Sequence, residues 1–462
     1  MIPLTLARAA ELTGARLDRV TDPRDVVTGP VVIDSRACEP GALFAALPGE
    51  RADGHDFAAA AVAAGAAAVL ATRPVGVPAL ITGDVQAALG KLARCVVDAL
   101  PGLAIAGITG SAGKTTTKDL AAQLVERLGP TVAPRGSLNN EIGLPLTVLR
   151  ATGQTRYLVL EYSTRKPGDI AYLCGVAPPR LGVVLCVGAA HVGEFGSVAA
   201  IARAKGELPA ALPPDGVALL NADDPNVRAM ASGTPARVVT FGRDPSAAVR
   251  AGGVRLDGQG RPEFTLITSA GSAPTRLRLV GEHNVVNALA AAALAGELGL
   301  APDEVADGLA TAEPRSRWRM EVTHRPDGVT VINDAYNASP DSMAAAIETL
   351  ARLAAGRRAF AVLGPMNELG SESERRHEEA GGQAARAGVA GLIVVGQAAA
   401  PMLAGAKAER SWRGELLGVA DGPEAVKALD NLLAPGDVVL VKASRTIGLE
   451  RVALALTGEA SL

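Results

Sequence analysis

Residues 103–116 read Leu103-Ala104-Ile105-Ala106-Gly107-Ile108-Thr109-Gly110-Ser111-Ala112-Gly113-Lys114-Thr115-Thr116, and a helical pattern begins near Thr117. An apolar strand that runs through a glycine-rich turn into a helix N-terminus makes a cradle for phosphate. Glycines such as Gly110 and Gly113 let backbone N–H groups converge, Lys114 and Thr116 reach phosphate oxygens, and the Thr115 hydroxyl is placed for Mg²⁺. The usual P-loop spacing is shifted, because Ile108 stands six before Lys114 and the glycine lies one earlier, at Gly107. The strand before and the helix after favour a nucleotide site over a plain turn. Lys114 is expected on a solvated loop.

Outward from this stretch the pattern is α/β. Apolar runs at 157–160, 181–187 and 217–220 alternate with helical stretches, which predicts a mainly parallel sheet with functional residues at its carboxyl ends. Residues 248–281 carry glycine-rich turns between short alternating runs and predict a small antiparallel addition, closed by a helix over 285–298. After Glu313-Pro314 the rhythm restarts with strands at 329–332, 360–363, 392–395 and 438–441, but no turn there has the G-x-G-x-x-G pattern. That segment reads as a dinucleotide-fold-like substrate or lid domain. Ahead of Pro101-Gly102 come short strands at 31–33, 43–46 and 67–71 and a small-residue helix over 57–65. Three domains are expected, at 1–101, 102–313 and 314–462, as suits 462 residues at ~150 per domain.

A net charge of −3 with both signs interspersed gives no basic surface for nucleic acid. No uncharged apolar run approaches the ~20 residues that span a bilayer, and Arg8 and Glu11 interrupt an amphipathic start rather than a signal peptide. Cys38, Cys95, Cys174 and Cys186 form no C-x-x-C pair and read as free, mostly buried thiols of a cytoplasmic protein. The expected partners are small molecules, and the expected state is a monomer.

Glu161 and His191 follow apolar runs, and Lys205 lies on the next helical stretch. Carboxylate and imidazole beside a P-loop suit Mg²⁺ held partly by substrate phosphates. Several further segments then share one pattern. Asn139-Asn140-Glu141-Ile142-Gly143, His191-x-Gly193-Glu194-Phe195-Gly196-Ser197, Ala204-Lys205-Gly206-Glu207, His283-Asn284-x-x-Asn287, Arg317-Trp318-Arg319 and Asn333-Asp334-Ala335-Tyr336-Asn337 occur in that order. With Asp34-Ser35-Arg36, Asp53-Gly54-His55 and Lys442-x-Ser444-Arg445 they resemble the Mur ligase family over essentially the whole chain.

The resemblance implies ATP-dependent joining of a carboxylate and an amine through an acyl phosphate, with ADP as product. It implies that Lys114 and Thr115 hold ATP and Mg²⁺, that Glu161 and His191 ligate metal, and that Lys205 becomes a carbamate ligand. Asn284 and Asn287 would meet the adenine, Arg319 and Asp334 the ATP from the third domain, and Ser35 and Arg36 the UDP end of the carboxylate substrate. Asn139, Asn140, Asn337 and Ser339 are further substrate candidates. The first domain would hold the UDP-linked substrate and the third the amine. Asp334-Ala335-Tyr336-Asn337 favours the branch that adds D-Ala-D-Ala to a UDP-linked tripeptide. His55 and His377 read as structural or substrate-positioning, and of Arg315, Arg317 and Arg319 only the last is given a site role.

The chain departs from that branch at Tyr162-Ser163-Thr164, where Met-Gly-Ala is usual, at Cys186 and Ser339, where asparagine is usual, at Pro365, where an acidic residue is usual, and at Ala443, where glycine is usual. Ser163, Cys186, Ser339, Pro365 and Ala443 flank the nucleotide and metal positions without replacing them, so they are expected to alter substrate choice and not ATP chemistry. Three readings stay open: the cell-wall ligase, a ligase diverted to another carboxylate or amine, and an idle nucleotide-binding partner.

Overall fold

The apolar run before the glycine-rich turn is a strand, Ala104–Thr109, buried in all but its first residue. It can be so apolar because it lies inside a sheet with both faces covered. The computed structural model describes residues 1–49, 52–188 and 192–459. In it Ala104–Thr109 sits between Tyr157–Glu161 and Leu181–Val184 in a nine-stranded sheet, parallel to both. Beyond Leu181–Val184 the parallel order continues through Val217–Asn221, Arg237–Gly242 and Val249–Leu256. The antiparallel strands Pro262–Thr268 and Gly271–Arg276 then extend the same sheet. The strand expected over 181–187 stops at Val184.

The helix Lys114–Val125 covers this sheet together with Asn284–Glu297. The second helix is almost entirely buried, and its alanines, from Ala288 through Ala295, explain how. Side chains that small let two helices and a sheet approach closely.

The C-terminal segment forms a six-stranded sheet in the order Glu321–His324, Thr330–Asn333, Val438–Lys442, Ala359–Leu363, Gly391–Val395, Glu415–Val419, parallel except for the first strand. The N-terminal segment forms a five-stranded sheet and a separate two-stranded one. The carboxyl ends of the central and C-terminal sheets face each other, which is how residues far apart in sequence come to share one cavity. Among the described residues all four cysteines are free, as expected, but only Cys174 is buried and the other three are half-buried. No helix among the described residues is long and apolar enough to cross a membrane.

Candidate active site

A cavity of about 1550 Å³ lies between the P-loop and the C-terminal sheet. On one wall stand Ser111 to Thr116, Ser137 to Glu141, Asn284 and Asn287; on the other stand Arg319, Asp334, Asn337, Ser339, Lys442 and Ser444. Gly113 caps the P-loop helix at φ +82°, and a Cβ there would run into Asn287 Oδ1, so only glycine fits. Lys114 is the first residue of that helix and not part of a solvated loop. It is half-buried, and its Nζ donates to Gly110 O at 2.7 Å. Burial lowers the Lys114 pKa, and the nearby Glu161 carboxylate opposes that fall.

Glu161 ends its strand, and register places it beside Ile108. It is completely buried behind the cavity wall. Its Oε2 accepts from Thr115 Oγ1 at 3.3 Å, Ser137 Oγ at 3.2 Å and Asn139 Nδ2 at 3.1 Å, whereas Oε1 has no partner. A buried carboxylate oxygen without a partner is costly, and a divalent cation satisfies it. Thr115 and Glu161 therefore fit Mg²⁺, which uses few protein ligands alongside phosphate and water.

Lys205, on the helix Val198–Ala210, is 3% exposed. Desolvation and the charge of Lys114 push its ammonium down to about 7. His191 lies outside the described residues. Asn284 and Asn287 reach the cavity but direct their amides into the protein: Asn287 Nδ2 donates to Asn284 Oδ1 at 2.9 Å, and Asn284 Nδ2 to Val280 O at 2.8 Å. Asn140 caps a turn, its Oδ1 accepting from Gly143 N at 2.9 Å.

From the C-terminal sheet, Asp334 accepts from Lys442 Nζ at 2.5 Å and from Met320 N at 3.1 Å. Lys442, 2% exposed, also donates to Asn337 O at 3.0 Å. Arg319 stacks on Tyr336, 4.1 Å from the ring centroid. The sequence assigns Lys442 no role, although a lysine directly after the apolar run 438–441 carries the signal. Ser137 had a fainter one, two residues before Asn139.

Ser35 and Arg36 are not brought to this cavity. They lie on a 3₁₀ turn of the N-terminal unit, where Arg36 grips Asp34 at 3.0 and 2.7 Å and holds its carboxyl at about 2. The N-terminal unit contributes Gln86 to the lining.

The departures divide. Ser163, Cys186 and Ser339 line the cavity, whereas Tyr162, Pro365 and Ala443 are buried outside it. Tyr162 fills the space above Gly107 and donates to Ala177 O at 2.5 Å. Ala443 packs on Gly364, where a Cβ would come within 2.7 Å of it, so the second glycine makes room for the first one's loss. Ser339 is the N-cap of Pro340–Ala354, a position that serine and asparagine fill equally well. At Tyr162, Ala443 and Ser339 the packing and the cap supply a structural reason for the residue.

Comparison with known proteins gives the family. The Mur ligase family catalytic domain matches residues 30–101, the Mur ligase middle domain 108–295, and the Mur ligase glutamate ligase domain 318–445. The UDP-N-acetylmuramoyl-tripeptide–D-alanyl-D-alanine ligase of Mycobacterium tuberculosis is 50% identical, with 99% of this chain and 98% of that protein covered. The chain belongs to the Mur ligase family. A crystal structure of MurF from Acinetobacter baumannii superposes on this Mur ligase with a TM-score of 0.88 at 31% identity, covering 99% of both chains. A MurF ligase from Thermotoga maritima, solved in complex with ADP, does so at 0.80 and 30%, covering 94% of this chain and 98% of that one.

Proposed function

We propose that this Mur ligase joins D-alanyl-D-alanine to UDP-N-acetylmuramoyl-tripeptide in peptidoglycan precursor synthesis, with ATP converted to ADP and phosphate. The observation that carries this reading is the full-length relationship to ligases of that name, together with a P-loop and a buried carboxylate that face Asp334, Lys442 and Arg319 across one cavity. It favours the cell-wall ligase over a diverted or idle relative.

The substrate carboxylate attacks the terminal phosphorus of ATP, ADP leaves, and the amine then attacks the acyl carbon and displaces phosphate. The helix N-terminus at Lys114 and the Lys114 ammonium hold the phosphates and offset the charge that grows on them. Thr115 and Glu161 would hold Mg²⁺, and the family resemblance makes His191 a further candidate ligand. When bound, that ion neutralises phosphoryl charge during transfer. Lys205 suits carbamate formation because only a neutral amine attacks CO₂, forming an N–C bond and releasing one proton, and an ammonium near 7 supplies that amine at neutral pH. Seating of the C-terminal unit excludes water, which would hydrolyse the acyl phosphate.

The division at 101 and 313 separates a UDP-substrate unit that contains Ser35 and Arg36, an ATP unit, and an amine unit. One chain supplies the cavity walls, so a monomer suffices, and four unpaired cysteines suit a cytoplasmic enzyme. Phosphate release measured with the UDP-linked tripeptide and D-Ala-D-Ala, beside other carboxylates and amines, tests the proposal. Turnover strictly dependent on both members of the pair is expected; silence on that pair, or AMP and pyrophosphate as products, would overturn it.

A further inference from the structure

Between the strand Ala359–Leu363 and the helix Ser373–Arg386 runs a loop, 364–369, whose Asn367 and Glu368 line the cavity. Several of its backbone groups are tied down from outside, among them Gly364 N, which donates to Lys442 O at 2.9 Å, and Pro365 O, which accepts from Ser444 N at 2.9 Å. Asn367 N donates to Ser444 Oγ at 2.9 Å, and Glu368 O accepts from Gly193 N at 3.1 Å, across from the central unit. One further tie is an imidazole. His377, 1% exposed on the first turns of the following helix, accepts from Met366 N at its Nε2, 2.9 Å away.

That contact fixes the chemistry of the ring. A backbone N–H can only donate, so Nε2 carries a lone pair; the proton of the neutral ring is then on Nδ1, which donates to Ser373 O at 2.7 Å. The ring thus staples the helix to the residue directly before the cavity-lining pair. The cavity wall that this loop builds differs in kind from the opposite one. The P-loop offers backbone N–H groups and Lys114, which attract phosphate and repel a cation, whereas Asn367 offers an amide and Glu368 a carboxylate that already faces the Arg165 guanidinium at 3.9 Å, groups that favour a cation.

We propose that His377 is a positioning residue for the incoming amine: its neutral Nδ1–H tautomer pins Met366 and so holds Asn367 and Glu368 in the wall that receives the amino terminus of the dipeptide. The inference rests on the ligase reading above, and its test keeps the two apart. His377→Leu keeps an apolar side chain in the core but removes the acceptor, and His377→Gln restores an acceptor oxygen. In steady-state assays His377→Leu is expected to raise the KM for D-Ala-D-Ala at least ten-fold and to leave the KM values for ATP and the UDP-linked tripeptide within two-fold. His377→Gln is expected to recover most of the loss. An unchanged dipeptide KM, an equal rise in all three constants, or a Gln variant no better than Leu would overturn the role.

Wild-type silence on the substrate pair would instead sink the ligase reading, and amide exchange then decides the anchoring. A slow Met366 amide in the wild type and His377→Gln but a fast one in His377→Leu supports it; equal rates in all three refute it. Should the Leu variant not fold, ¹⁵N spectra of the wild-type imidazole decide: the Nδ1–H tautomer is expected, and an Nε2–H tautomer or an imidazolium at neutral pH refutes the staple.

Discussion

Gly193→Ala isolates the seating of the C-terminal unit on the central one. Gly193 lies in the short helix Val192–Phe195, and its N–H donates to Glu368 O at 3.1 Å. A Cβ there would come within 2.8 Å of Leu369 C and 2.9 Å of Glu368 O, and nearer still to Gly370 N. All three atoms are backbone, so no rotamer change relieves the clash, and ordinary carbon contacts of ~3.5–4.0 Å require the two units to part by about 1 Å. Overpacking of this kind costs about 1–3 kcal/mol, and the strained hydrogen bond adds about 1 kcal/mol. Against this, alanine is a better helix former than glycine, so the central unit itself is not weakened. The ion pairs that also bridge the units, such as Arg352 with Glu282 at 2.5 Å, are exposed and contribute about 0–1 kcal/mol each. A net loss of about 2 kcal/mol or more lowers the ratio of seated to unseated molecules roughly thirty-fold or more. Phosphate-release assays should therefore show kcat/KM for the dipeptide reduced several-fold and by up to that factor, with an unchanged melting midpoint for the central unit and a larger radius by small-angle scattering. A variant that turns over within two-fold of wild type with an unchanged scattering profile would refute the reasoning.

Lys114→Ala should lower turnover by about a thousand-fold or more, since its charge acts on phosphoryl transfer, while circular dichroism stays native; near-normal turnover would remove the P-loop from the mechanism. Lys442→Met leaves Asp334 uncompensated and should cost about 3–5 kcal/mol in urea unfolding, a loss that Asp334→Asn in the same chain should partly restore. Tyr162→Phe should lower stability by about 1–2 kcal/mol through the lost bond to Ala177 O and leave kcat/KM within two-fold; a change in substrate preference would show that Tyr162 acts on the cavity after all. Lys205 has a folded pKa of about 7 against an ordinary 10.5, so between these values the unfolded chain binds the extra proton and stability rises with pH. Measured without CO₂, Lys205→Met should be inactive yet more stable than wild type by up to about 5 kcal/mol at pH 6, and the advantage should shrink as pH rises from 7 toward 10.5; a pH-independent difference would contradict the burial of the ammonium.

The local pattern of residues 103–116 determined the strand, the glycine-rich turn and the helix, because backbone sterics and hydrophobic periodicity act over a few residues. The same local signals placed Glu161 at a strand end and located the antiparallel strands after 248. Some properties belong to the fold as a whole. Lys114 became a half-buried first helical residue because Glu161 and the Arg319 wall stand over it, and no pattern within its own segment encodes those neighbours. Ser35 and Arg36 stand apart from the cavity because the N-terminal sheet is a separate layer, a matter of how units dock. The pairing of Asp334 with Lys442, 108 residues apart, follows from two parallel strands lying side by side. The role of His377 likewise depends on a backbone N–H eleven residues earlier that only the closed loop brings to its ring. Local sequence sets which groups carry charge, hydrogen bonds and conformational freedom; packing decides which of them are desolvated together, and desolvation sets their chemistry.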